Sequence, residues 1–482
     1  MRAVLRTLCG GLAAGALIVA ASAQEPVKLV RLNVVAVDQQ GKPVGDLTAN
    51  DFSIVDEGKP ETIALFHAGG FGPATAADSS QFTNRPSPPP HTTVILFDCL
   101  NHMRAECVYT ARQLGPSLKQ IEDAGSVYFY VLTPLGTLDP IHPFPDSPGA
   151  APNKTWNQDI EAVLAKEVKS LKPRPSGMAD EIVTKKSYVT LETFGKQLAG
   201  FPGRRDIIWI LGGVPSTYKE NTKNPCTGIW VGCGLYAEHL SVTLDLYGTV
   251  VNLLTYTDLD TNKTTDMEAM AQLTGGSLTY GNKGGDIRQV IQQLNESASA
   301  GYVIAYDPSA GNWDNKFHFV KLACARKGVK LIAKTRYYAL PDSRPPDQRQ
   351  MDALRAAYQS PYDVSDIGLR AAISPGKAPS TIKVDLRVAM PDLLLHESGG
   401  KFGGQLTVLF SARDAKAPEG DPTIDPISPS FTKAQYDAYL KDGFPFTKEY
   451  VIDGTTKVVR LIVADGATSL AGSLTIPVAP PR

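Results

Sequence analysis

Apolar residues run without a break from Val94 to Phe97 and end on Asp98. A strand covered on both faces of a parallel sheet reads this way, whereas a half-exposed strand alternates. Residues 104–123 then return to helical spacing through Val108, Ala111, Leu114, Leu118 and Ile121. A buried strand that ends on an acid and feeds a helix predicts the carboxyl edge of an open α/β sheet, where such sheets bind ligands. The same pattern predicts buried strands over residues 126–132, 206–211 and 250–256, with a short one at 277–280. Residues 138–144 read as an edge strand, since Pro140 and Pro143 remove ladder donors. Helices are predicted over 156–171, 188–198, 238–247, 266–273 and 286–298.

On either side of this block the period changes to two. Residues 27–37 alternate, and Phe52 to Val55 runs into the turn Asp56-Glu57-Gly58-Lys59, answered by a return strand over 61–66. Three or four strands do not close a sandwich by themselves. Their natural partners are the β segments at 302–306, 317–323 and 329–338, which predicts an α/β unit (91–299) inserted between the halves of one β-sandwich (24–72 and 300–342). Residues 73–90, rich in Ser, Thr and Pro and ending Pro88-Pro89-Pro90, read as an extended, solvated linker. A linker with helical character over 343–376 then leads to a β-rich C-terminal unit, 377–482, read as a second sandwich.

Composition narrows the function classes. The 482 residues carry 48 basic and 49 acidic side chains, a formal charge of −1. That balance argues against nucleic acid as a partner, because phosphate binding needs a basic stripe. Residues 1–23 have the form of a signal peptide: Arg2 and Arg6, an apolar run from Leu8 to Ala20, and Ala21-Ser22-Ala23 as a small-x-small cleavage pattern. Cleavage there takes the charge from −1 to −3 by removing the two arginines. No later stretch approaches the length of a membrane span, so a secreted or periplasmic protein is expected. Of the six cysteines, Cys226 and Cys233 enclose a short loop and are the expected disulfide, since no companion His or Cys pair completes a zinc pattern. Pairing of Cys99 with Cys107 is left open.

Several stretches together resemble the von Willebrand factor A-type (vWA) family, in particular its secreted bacterial, acidobacterial VWFA-related group. They are Val44-Gly45-Asp46-Leu47-Thr48 through Asp51-Phe52 to Asp56-Glu57-Gly58-Lys59, Leu96 to Asn101, Phe201 to Arg205, Leu273 to Gly276, and Gly301-Tyr302 through Pro308. The resemblance implies a Rossmann-like vWA domain as the α/β unit and an Ig-like C-terminal sandwich. It also implies a metal-ion-dependent adhesion site for Mg²⁺. In that pattern Asp98 is the first ligand, but Leu100 and His102 fall where two serines belong, and Gly212-Gly213 where an aspartate belongs. Thr184, Ser187 and Thr190 are alternatives for the threonine. One carboxylate with an apolar neighbour is a poor Mg²⁺ set, so a degenerate site and no resident cofactor are expected.

The candidate ligand-binding residues are therefore Asp98, Asn101, His102, Gly212, Gly213 and Asp258, with Asp98 as the metal candidate. The plainer alternative makes Asp98 a strand terminus that accepts hydrogen bonds from its own loop. Phosphate-loop, zinc-protease and serine-hydrolase motifs are missing. The expected function is non-enzymatic binding of a protein or cell-envelope ligand, of adhesion type. The rival readings are a structural envelope component acting through its sandwiches and an exported hydrolase.

Overall fold

The computed structural model describes residues 28–68, 81–85, 91–121, 127–144, 156, 159–178, 180–199, 201, 204–212, 240, 243–244, 247–256, 261–281, 287–308, 313–360, 362–413 and 422–478. The expected signal peptide and the Cys226 and Cys233 pair lie outside them.

The alternating segments pair across the chain. Val30–Val37 lies antiparallel to Tyr302–Tyr306, which also takes Ile63–Ala68 on its other side. Phe52–Asp56 pairs with Phe317–Cys324, Val320 opposite Asp56. These two four-stranded sheets share one core that includes Leu32, Val34, Ile54, Tyr302, Ile304 and Val320. Apolar residues two apart on each strand face inward, which is why alternation marked these segments.

Between the halves lies a six-stranded sheet whose central strand is His91–Asp98. Val127–Leu132 and Arg204–Ile210 flank it in parallel, followed outward by Thr249–Thr255 and Leu278–Tyr280, while Leu138–His142 runs antiparallel at the far edge. Ile95 and Phe97 pack toward Arg104–Leu118, Ile160–Ser170 and Ile287–Ala300; Val94 and Leu96 pack toward Asp180–Leu198 and Thr261–Thr274. Cover on both faces is the reason for the unbroken apolar run.

The C-terminal unit has a further core shared by the sheets built on Thr381–Val388 and Val458–Asp465. The helix Pro346–Gln359 packs on that second sheet through Leu354 and Ala357.

Two expectations are corrected. The class predicted from the sequence was α/β, a Rossmann-like vWA domain inserted in a β-sandwich, with a C-terminal Ig-like sandwich after it. Five of the six sheets are antiparallel and the remaining one is mixed, so the described chain belongs to the β-sandwich class. The unbroken apolar runs reported local cover by helices, and that cover does not extend to the more numerous alternating strands around them. The second correction concerns the linker. Within 73–90 the described residues are 81–85, and there Phe82–Thr83 joins the C-terminal unit as an edge strand against Leu369–Pro375. Asn84 and Arg85 are buried and bond to backbone oxygens of Val364, Ser365 and Ile367. Composition showed a polar stretch, but not that its polar groups had partners about 280 residues away.

Candidate functional site

The His91–Asp98 strand delivers Asp98 to the carboxyl edge of the mixed sheet, where it is fully buried. Its Oδ1 accepts from the amides of Leu100 at 2.8 Å and Asn101 at 2.9 Å, so the chain turns back over the carboxylate. Its Oδ2 accepts from the Asn101 side-chain amide at 2.6 Å and from the Trp209 indole at 2.9 Å. Trp209 comes from the neighbouring Arg204–Ile210 strand. Burial pushes the Asp98 carboxyl above its usual range, against the opposing pull of the Asn101 bonds, the His102 ring and the indole.

Asn101 extends the network to Ser187 Oγ at 2.8 Å, and Ser187 in turn donates to the Val183 carbonyl at 3.0 Å. Of the three hydroxyls considered for the threonine position, Ser187 bonds this loop, and Thr190 donates to the Lys186 carbonyl in its own helix. His102 donates Nδ1–H to the Asp98 carbonyl and leaves Nε2 buried without a partner. That edge of the ring lies over Gly212, where an added β-carbon would stand 3.0 Å from His102 Cδ2 and 3.2 Å from Nε2. A side chain at 212 would displace the imidazole.

Asp98, Asn101, His102 and Gly212 thus come together. Gly213 and Asp258 lie outside the described residues, as do Cys226 and Cys233. The pair left open is bonded: Cys99 and Cys107 form a disulfide that ties the strand end to the first turns of Arg104–Leu118. The sequence reading missed Trp209. Its isolated position in an apolar strand resembles core packing, and only the side-by-side alignment of strands aims the indole at Asp98.

The loop does not fit Mg²⁺. Each Asp98 oxygen already accepts from two donors, and Leu100, in a serine position, is buried and apolar. A hard cation needs oxygen ligands with lone pairs to spare. The arrangement can instead hold a loop rigidly at the sheet edge.

No family model and no curated protein matches the chain. Among solved structures it is similar to the human COPII-coat protein Sec24c, with a TM-score of 0.25 and 12% identity over 57% of this chain and 48% of that one. It is also similar to the pilus adhesin SpaC from Lactobacillus rhamnosus GG, with a TM-score of 0.26 and 8% identity over 84% of this chain and 58% of that one. The chain therefore spans about half the length of these proteins. At such TM-scores neither likeness bears on function. Among the described residues no helix is long and apolar enough to cross a membrane.

Proposed function

We propose that this is an exported, non-enzymatic binding protein of adhesion type, and that it meets a protein or cell-envelope partner at the carboxyl edge of its mixed sheet. The observation that supports this reading is that three elements around the Asp98 loop each carry an exposed apolar side chain. Met103 is 69% exposed, Leu135 38% and Ile182 46%. Met103 follows directly on the Asp98 loop, and Leu135 sits in the turn after Val127–Leu132. Ile182 opens the helix whose Ser187 bonds Asn101 and whose Lys186 lies against Gly136. Exposed apolar residues on neighbouring elements at a sheet edge suit an interaction surface.

A second reading, a structural component joined through its sandwiches, is favoured by one observation. Val451, 77% exposed, ends the edge strand Phe444–Val451 of the C-terminal unit, and open edges invite strand addition. Photo-cross-linking in the native envelope, with the reactive group at Met103 in one variant and Val451 in another, separates them. Adducts from position 103 that disappear with Ile182→Glu support recognition at the sheet edge. Adducts from 451 alone overturn it.

A further inference from the structure

A second buried aspartate ends a strand in the first sandwich. Asp56 closes Phe52–Asp56 and is 0% exposed. Since Val320 is its partner in the register, His318, two residues along the same strand, shares its inward face. The chain then turns through Glu57 and Gly58 at φ of 46° and 81°, the two-residue hairpin geometry. A positive φ disfavours a side chain with a β-carbon, yet a glutamate stands here. It reaches back to the facing strand, its Oε1 accepting from the Phe319 amide at 2.7 Å.

The polar groups around Asp56 are unevenly satisfied. Its Oδ2 accepts from the Tyr306 hydroxyl at 3.0 Å and the Tyr337 hydroxyl at 2.9 Å. Its Oδ1 has no hydrogen-bond partner although buried, and the same holds for His318 Nδ1, 4.0 Å away. On the opposite side of the ring, His318 Nε2 lies 3.0 Å from Asp314 Oδ1. An ionised carboxylate only accepts, so Nε2 carries a proton, and in the tautomer with that proton alone Nδ1 presents a lone pair to the gap. A carboxylate on the far nitrogen is the usual orienting partner of a metal-binding histidine.

With the ring in that tautomer two buried lone pairs face each other, and a cation between them satisfies both. A shared proton does not span 4.0 Å, since hydrogen bonds of this kind close at about 2.7–3.2 Å. A metal with bonds of about 2.0–2.1 Å does, and the two donors need approach by only roughly half an ångström to reach a tetrahedral angle. The ligating atoms of Asp56, Glu57 and His318 all lie within 4.8 Å of one another. We propose that Asp56, Glu57 and His318 bind one divalent transition metal of the zinc class. Imidazole with two carboxylates suits such an ion, whereas Mg²⁺ and Ca²⁺ take oxygen throughout. Tyr306, Tyr337 and Asp314 position the ligands, and exposed Glu57 leaves a further coordination position toward solvent.

Equilibrium dialysis of the full chain, stripped with EDTA and offered Zn²⁺, tests this, with visible absorption of the Co²⁺ form as a second readout. The expected result is one ion per chain, with affinity at least about 100-fold lower in His318→Gln and about 10- to 100-fold lower in Asp314→Asn. Tetrahedral Co²⁺ bands should vanish in His318→Gln. Circular dichroism of the metal-free variants checks that they fold. Should His318→Gln unfold, Glu57→Gln on the exposed turn carries the test, with at least a tenfold loss expected. A wild-type chain that takes up no stoichiometric Zn²⁺ overturns the proposal. So does uptake unchanged by both His318→Gln and Glu57→Gln.

Discussion

Asp98 and Asp56 occupy equivalent places in two different sheets: each ends a strand, and each is wholly buried. Their surroundings differ. Four N–H donors fill both oxygens of Asp98, whereas Asp56 has two hydroxyls on one oxygen and an unpartnered nitrogen facing the other. Burial makes any unfilled lone pair costly. Where the protein itself supplies every partner, a carboxylate becomes a structural fastening; where it leaves a gap lined by lone pairs, the carboxylate is suited to hold a cation. The residue that the motif singled out is the fastening, and the one that read as a plain hairpin turn is the better ligand.

The sharpest way to break this comparison is to mutate each aspartate. Asp98→Ala strands four buried or half-buried donors and should cost about 4 kcal/mol in urea unfolding. Asp98→Asn, which turns an amide toward other donors, should still cost about 2 kcal/mol. Asp56→Asn in the metal-free chain should cost less than about 1 kcal/mol, because its carbonyl keeps the tyrosine hydroxyls and the oxygen it replaces already lacks a partner. Equal costs for the two Asn variants would erase the distinction.

A third buried aspartate sharpens the contrast through charge. Asp206 lies 2.7 Å from Arg204 Nε and 3.2 Å from His91 Nε2, and also accepts from Asn252 at 2.9 Å. Burial alone would raise its carboxyl, but the Arg204 guanidinium and His91 outweigh that and hold it at about 2. Its folded value is depressed, so its contribution is present above the ordinary value of 3.8 and lost as pH falls toward about 2. The loss should be about 2 kcal/mol, and Asp206→Asn should flatten the stability curve over that window. Asp98 has the opposite sign. Its raised value means that its contribution declines as pH rises from the ordinary value to the folded one, so Asp98→Asn should not remove any acid-side loss.

Reduction of Cys99–Cys107, with a sequence separation of 8, should lower stability by about 2 kcal/mol through the freed loop entropy. It should also loosen the Asp98 turn while leaving Zn²⁺ uptake at Asp56 intact, measured on the same sample. The smallest effect on folding is expected at the surface. Met103→Glu should shift stability by less than about 0.5 kcal/mol yet abolish envelope cross-links from a probe at Ile182.

Much of the strand content was legible. The central strand, read from the apolar run Val94 to Phe97 that ends on Asp98, is observed as His91–Asp98. The alternating segments around 30–37 and 302–306 pair with each other in the structure. Helix ends were less legible: 188–198 begins earlier, at Asp180, because the polar start of that helix carries little apolar period. The α/β class gave one block of unbroken strands more weight than the alternating strands of the two sandwiches around it, and those strands are the more numerous. At the sites, Asp98, Asn101 and His102 were found together because they are consecutive or nearly so. Ser187 could only be offered among alternatives, and Trp209 was passed over, since a lone indole in an apolar strand has no local mark of its role.

What the sequence determined by itself is where side chains leave water and where strands stop. Burial follows a period of two or an unbroken run, and both are written in neighbouring residues. Tertiary structure alone decided what each buried acid does. The indole that completes Asp98 is 111 positions away, and the Tyr337 hydroxyl on Asp56 is 281 positions away. A hydrogen bond acts over about 3 Å, a distance that the order of residues does not encode until the sheets are assembled.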